Sequence, residues 1–152
     1  MNLNFNYCER NTLEFLAEPL NSSTNIFFII ASVILLYQNK SKSKTIPIII
    51  FLIGISSFLY HSIPIGIWGL LDVLFILLFI YSYLYFLIFN ILKSSLIVSL
   101  TLPLILISFC YFFGNAFKNT VLGSTSFYIP LISILYFYYY LLLNKKELKK
   151  VK

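Results

Sequence analysis

Few residues in this sequence can perform acid–base, metal or nucleophilic chemistry. His61 is the single histidine among 152 residues, and the acids are Glu9, Glu14, Glu18, Asp72 and Glu147. A neutral imidazole can hold a metal or exchange a proton near neutral pH. A carboxylate can take the proton of an attacking water. Ser57 and His61 are four residues apart and Gly54 lies one turn before Ser57. At about 100° per residue a helix puts all three on a face about 60° wide. Asp72 follows His61 by eleven residues. Glu147 lies among lysines and reads as solvated, as does Glu14. A single histidine can serve only to bond a neighbouring helix, and Gly54 only to let helices pack closely. A serine-hydrolase reading of Ser57 and His61 lacks a nucleophile-elbow context.

The elements that must position these residues follow from composition. Hydrophobic residues make up 60% of the chain and charged ones 11%, with a mean hydropathy of +0.91. A soluble domain has about a quarter of its residues charged, and no core of this size hides so much apolar surface. Uncharged stretches of 21, 27, 20, 24 and 26 residues occupy 19–39, 45–71, 73–92, 94–117 and 119–144. Each is long enough for a helix that needs about 20 apolar residues to span a bilayer. The sequence therefore predicts an all-α, polytopic transmembrane bundle in one domain, with five spans near 24–38, 45–63, 68–92, 95–113 and 126–143. Residues 1–23 form an outer N-terminal segment and 144–152 a basic tail. Barrel strands would alternate in polarity, and these segments do not.

The net charge of +6 does not mark a nucleic-acid partner, because the lysines sit in the loops between spans. With five spans, Lys40, Lys42, Lys44, Lys93 and the five tail lysines share one side, nine basic residues in all; Arg10 and Lys118 lie on the other. The positive-inside rule then puts the N-terminus outside and the tail in the cytoplasm. The first ten residues lack a basic region followed by an apolar one, so no cleavable signal peptide is expected. Cys8 in the outer segment and Cys110 within the fourth span are not expected to pair. Counted from Thr45, His61 lies about 24 Å up a core roughly 30 Å thick, in the outer leaflet. The short 62–67 connection makes spans two and three antiparallel neighbours. His61, Ser57 and Asp72 are expected to meet in the outer half of the bundle, with Glu9 and Glu18 over the same mouth.

Three segments resemble the alkaline ceramidase family, especially its bacterial members. They are Tyr7-Cys8-Glu9-Arg10-Asn11 with Ala17-Glu18-Pro19-Leu20-Asn21 and Thr24-Asn25; Gly54-Ile55-Ser56-Ser57-Phe58-Leu59-Tyr60-His61, which matches a G-x-x-S-x-x-x-H helix; and Asp72. A weaker match runs from Gly123-Ser124 to Tyr128-Ile129-Pro130, and the likeness covers residues 6 to about 143. The resemblance implies a zinc-dependent membrane hydrolase that cleaves the amide of ceramide. In it His61 is a zinc ligand, Asp72 handles the proton of the attacking water and Ser57 binds the oxyanion. It further implies a calcium site at Asn6, Tyr7, Glu9, Asn11 and Glu18, with Asn6 standing where the family has an acid.

Family members usually have seven helices, the last carrying H-x-x-x-H with two more zinc ligands, whereas this sequence resembles the first five and has one histidine. The expectations are a shortened or incompletely recorded enzyme that binds zinc weakly and turns ceramide over poorly alone, a second chain completing the bundle, or a non-catalytic protein of the same fold that binds lipid or a partner. The Ile, Phe, Tyr, Asn and Lys bias suits an AT-rich genome, and a bacterial inner membrane is the expected setting.

Overall fold

Apolar segments that cannot hydrogen-bond to lipid must satisfy their backbone internally, and helices do so within one segment. The computed structural model describes residues 14–38, 44–63 and 65–150, and these are helical apart from short connections. In order, the helices are α1 (Pro19–Thr24), α2 (Ile26–Gln38), α3 (Thr45–Ser62), α4 (Gly66–Phe86), α5 (Leu96–Phe117) and α6 (Ile129–Lys150). A π-turn at Leu87–Ile91 continues α4, and a 3₁₀ turn at Gly123–Phe127 precedes α6.

Among the described residues, four stretches are long and apolar enough to cross a membrane: Pro19–Gln38, Thr45–Ser62, Gly66–Ile91 and Leu96–Phe117. The fifth expected span corresponds to a shorter apolar helix, Thr125–Phe137, within a helical region that runs on to Lys150. The segment expected as a tail from residue 144 is thus helical as far as Lys150, which suits the helix-forming Lys, Glu and Leu found there.

The chain forms two compact units, one up to Leu87 and one from Ile88. In the first, α3 packs against α2 and α4. Ser32 on α2 is fully buried and its hydroxyl donates to the Pro47 carbonyl of α3 at 2.8 Å. Close approach of these helices depends on Gly54, where a Cβ would stand 2.8 Å from Ile29 Cγ1 and 3.2 Å from the Ile29 backbone nitrogen. In the second unit, Ser95 caps α5, its hydroxyl accepting from the Val98 N–H at 3.4 Å. The 3₁₀ turn packs on α5, where the Ser126 hydroxyl donates to the Gly114 carbonyl at 3.2 Å. The fully buried side chains are mostly polar or small, Glu18, Ser22, Ser32 and Ser62 among them, while Phe27 and Leu70 are each 69% exposed. Buried serines beside broadly exposed apolar side chains fit the arrangement a bilayer selects.

Candidate functional site

The last carbonyls of α3 have no partner within the helix, because it ends at Ser62. The segment before α1 supplies partners. The Leu16 N–H donates to the Ser62 carbonyl at 2.9 Å and the Glu18 N–H to the His61 carbonyl at 3.2 Å. Leu16 adopts a φ of 61°, left-handed backbone uncommon for a residue with a Cβ. That turn lays the chain along the end of α3. Ser62 adds a bond from its hydroxyl to that of Ser22 at 3.2 Å. Pro19 then opens α1, where its missing N–H costs nothing.

This docking seats Glu18 over His61. Glu18 Oε2 lies 2.6 Å from His61 Nδ1, with the Glu18 side chain fully buried and that of His61 12% exposed. The Asn21 amide donates to the same Oε2 at 2.8 Å. Nδ1 is thus the ring nitrogen that faces the carboxylate. One turn back on α3, Ser57 is buried and stands at hydrogen-bonding range of the Asp72 carboxylate of α4, and His61 is near enough to act on Asp72 electrostatically. Asp72 Oδ1 is buried and without a hydrogen-bond partner among the described residues. The Tyr60 ring leans against the imidazole, with centroids 5.2 Å apart.

The structure thus places Ser57, His61, Asp72 and Glu18 in the first unit, linked in pairs. Sequence reasoning set Glu18 near the same mouth but gave it only a calcium role and missed its contact with His61, since no spacing rule links residues 43 apart. Of the residues implied for calcium, Asn6, Tyr7, Glu9 and Asn11 lie outside the described residues, and Glu18 is engaged by His61 and Asn21. Catalytic zinc takes three protein ligands. Among the described residues no three His, Cys, Asp or Glu side chains come together to hold a metal ion. The described residues therefore do not make a zinc site on their own.

The family model described as Ceramidase matches residues 3–152. The chain belongs to the ceramidase family. That match covers every residue of the pairs above, and it makes the chain, at family level, a ceramidase-like membrane hydrolase acting on amide bonds. No curated protein and no solved structure matches the sequence. For a ceramidase-family chain, an acid–histidine pair beside a serine–acid pair supplies groups for moving protons and holding an oxyanion.

Proposed function

We propose that this ceramidase-family chain hydrolyses the amide of a ceramide-like lipid to a sphingoid base and a fatty acid. The observation that carries the reading is the buried Oδ1 of Asp72, without a hydrogen-bond partner among the described residues, beside Ser57 and His61. Such an oxygen is a ready acceptor for the proton of a water attacking the amide carbonyl. While Asp72 is ionised, the Ser57 hydroxyl donates to it. Once Asp72 holds the water's proton on Oδ1, the oxygen beside Ser57 loses its charge and accepts the Ser57 hydroxyl less strongly. The Ser57 proton is then free to turn to the oxygen that has become negative. Collapse of the tetrahedral intermediate breaks the C–N bond, and the proton on Asp72 passes to the departing amine. Water and amide become acid and amine, with nothing left over.

Zinc, when bound in such a site, polarises the carbonyl and acidifies water. His61 Nε2 is the described donor proposed to touch it; further ligands would have to come from beyond the described residues or from a second chain. A calcium ion at Asn6, Tyr7, Glu9, Asn11 and Glu18 belongs to the same proposal. The proposed setting is a bacterial inner membrane with the N-terminus outside, supported by the nine-to-two basic bias. Reporter fusions after Lys44 and after Lys150 are both expected to read cytoplasmic, and an external signal at either overturns that orientation.

The lack of a three-donor cluster among the described residues favours a second reading, a non-catalytic protein of the same fold that binds lipid or a partner. The deciding experiment incubates the purified full chain with zinc and ceramide and measures released fatty acid. Low turnover that disappears in His61→Ala and Asp72→Asn supports the hydrolase. Ceramide binding by a folded chain with no turnover supports the second reading.

A further inference from the structure

Gly54, Gly66 and Gly69 of the first unit face different surroundings. A Cβ at Gly54 would press on α2, and one at Gly66 would meet nothing within 4 Å. At Gly69 on α4 a Cβ would fall 2.7 Å from Tyr60 Cε2, 3.0 Å from Cδ2 and 3.3 Å from Cζ. All three atoms belong to one edge of one ring, so the Tyr60 ring of α3 lies against bare backbone of α4. The same ring meets the His61 imidazole, with centroids 5.2 Å apart and planes tilted by 59°. Aromatic rings attract at such separations and tilts.

These contacts run in series from α4 to the histidine. An imidazole held at one atom can still tilt about that atom. His61 is held at Nδ1, where Glu18 Oε2 lies 2.6 Å away. Tyr60 adds a contact on another side of the ring, and its own retreat is blocked by the α4 backbone. Only a residue without a Cβ leaves room for that wedge. We propose that Gly69 is a positioning residue: by seating the Tyr60 ring against α4 it sets the orientation of the His61 imidazole beside Asp72. This rests on the reading of His61 as a working group of the hydrolase. The obstructing atoms at Gly69 are the far end of a side chain rather than backbone. An added methyl therefore turns the Tyr60 ring aside and leaves the helices in place, the more so because alanine is the better helix former.

The test reads the distance between the two rings. Tyrosine and histidine rings are labelled in the full chain in phosphatidylcholine nanodiscs, and nuclear Overhauser effects between them are recorded. His61 is the single histidine, so every imidazole cross-peak belongs to it, and Tyr60→Leu identifies the one from Tyr60. That cross-peak is expected in the unmodified chain and in Gly66→Ala, and is expected to be lost in Gly69→Ala. Ceramide turnover is measured on the same samples. Gly69→Ala should lower kcat about tenfold with KM unchanged, the scale for groups that orient a working residue, while Gly66→Ala leaves both unchanged. In a Tyr60→Leu chain the further change Gly69→Ala should cost nothing more, because the atoms it displaces are gone. Gly69→Ser is made beside it. If neither Gly69 variant keeps the helix content of the unmodified chain, the ring did not give way and the proposal is overturned. A cross-peak kept in a folded Gly69→Ala chain, or an unchanged kcat once it is lost, overturns the proposal and leaves the hydrolase reading standing. An unmodified chain without turnover overturns the hydrolase reading, and the cross-peak then decides by itself whether Gly69 orients His61.

Discussion

The unit ending at Leu87 and the unit beginning at Ile88 are both built from apolar helices, yet their hydroxyls do different work. In the first, Ser32 of α2 reaches Pro47 of α3 and Ser62 of α3 reaches Ser22 of α1, while Ser56 folds back on Leu52 and Ile53 within α3. In the second, most fold back. Ser99 donates to the Ser95 carbonyl and Thr101 to the Ile97 carbonyl, each within α5, and Ser133 to the Ile129 carbonyl within α6. Ser126 is the exception, bonding both Gly114 and Gly123. A hydroxyl that folds back on its own helix solves only its own solvation. One that crosses to another element also specifies which element lies beside it. The chemistry-bearing residues occur in the unit with the crossings.

Four experiments can break or sharpen that contrast. The largest effect is expected on turnover: Asp72→Asn should lower ceramide hydrolysis at least about a hundredfold, the low end for loss of an acid–base group. Cys110→Ser in the second unit should leave it unchanged. Equal losses would show that chemistry is not confined to the first unit. Next, Glu18→Ala leaves His61 without its carboxylate in a buried site. It should cost about 3 kcal/mol of stability in a reversible unfolding titration, the scale for breaking a buried pair. A cost near zero would make the pair ornamental.

Packing supplies the third test. A Cβ at Gly54 would press on the Ile29 backbone, and one at Gly114 would fall 2.1 Å from the Phe127 ring. Gly54→Leu and Gly114→Leu should each cost about 2 kcal/mol. Matching costs would show that close packing is common to both units and that only their polar groups differ. The smallest effects are the most pointed. Ser32 and Ser99 are both fully buried, but Ser32→Ala should cost about 1 kcal/mol for a lost interhelical bond. Ser99→Ala should stay within about 0.5 kcal/mol, because its bond duplicates the Ser99 N–H to Ser95 carbonyl bond already present. Equal costs would dissolve the distinction between crossing and folding back.

The sequence carried the helices better than their joints. The span expected at 45–63 is α3 at Thr45–Ser62, because loop lysines and a long apolar run bound it tightly. The span expected at 68–92 begins two residues earlier and ends in a π-turn, which no residue type announces. The first span begins at Pro19, five residues before its expected start, because α1 is polar and hydropathy does not register it. Ser57, His61 and Asp72 were legible from helical spacing and a short connection, both local properties. The Glu18–His61 contact was not. It depends on backbone pairing between Leu16–Glu18 and the end of α3, a long-range fit with no periodic signature.

That same pairing dictates an order of assembly during synthesis. Residues 16–18 are translated before residues 61–62, so the early chain has no carbonyls for Leu16 and Glu18 to bond. Glu18 must wait at the membrane surface, solvated, while α2 and most of α3 are made. It can enter its buried seat only when His61 arrives to meet it. Whatever delays the release of α3 into the bilayer therefore delays the birth of the site, however early its first acid was translated.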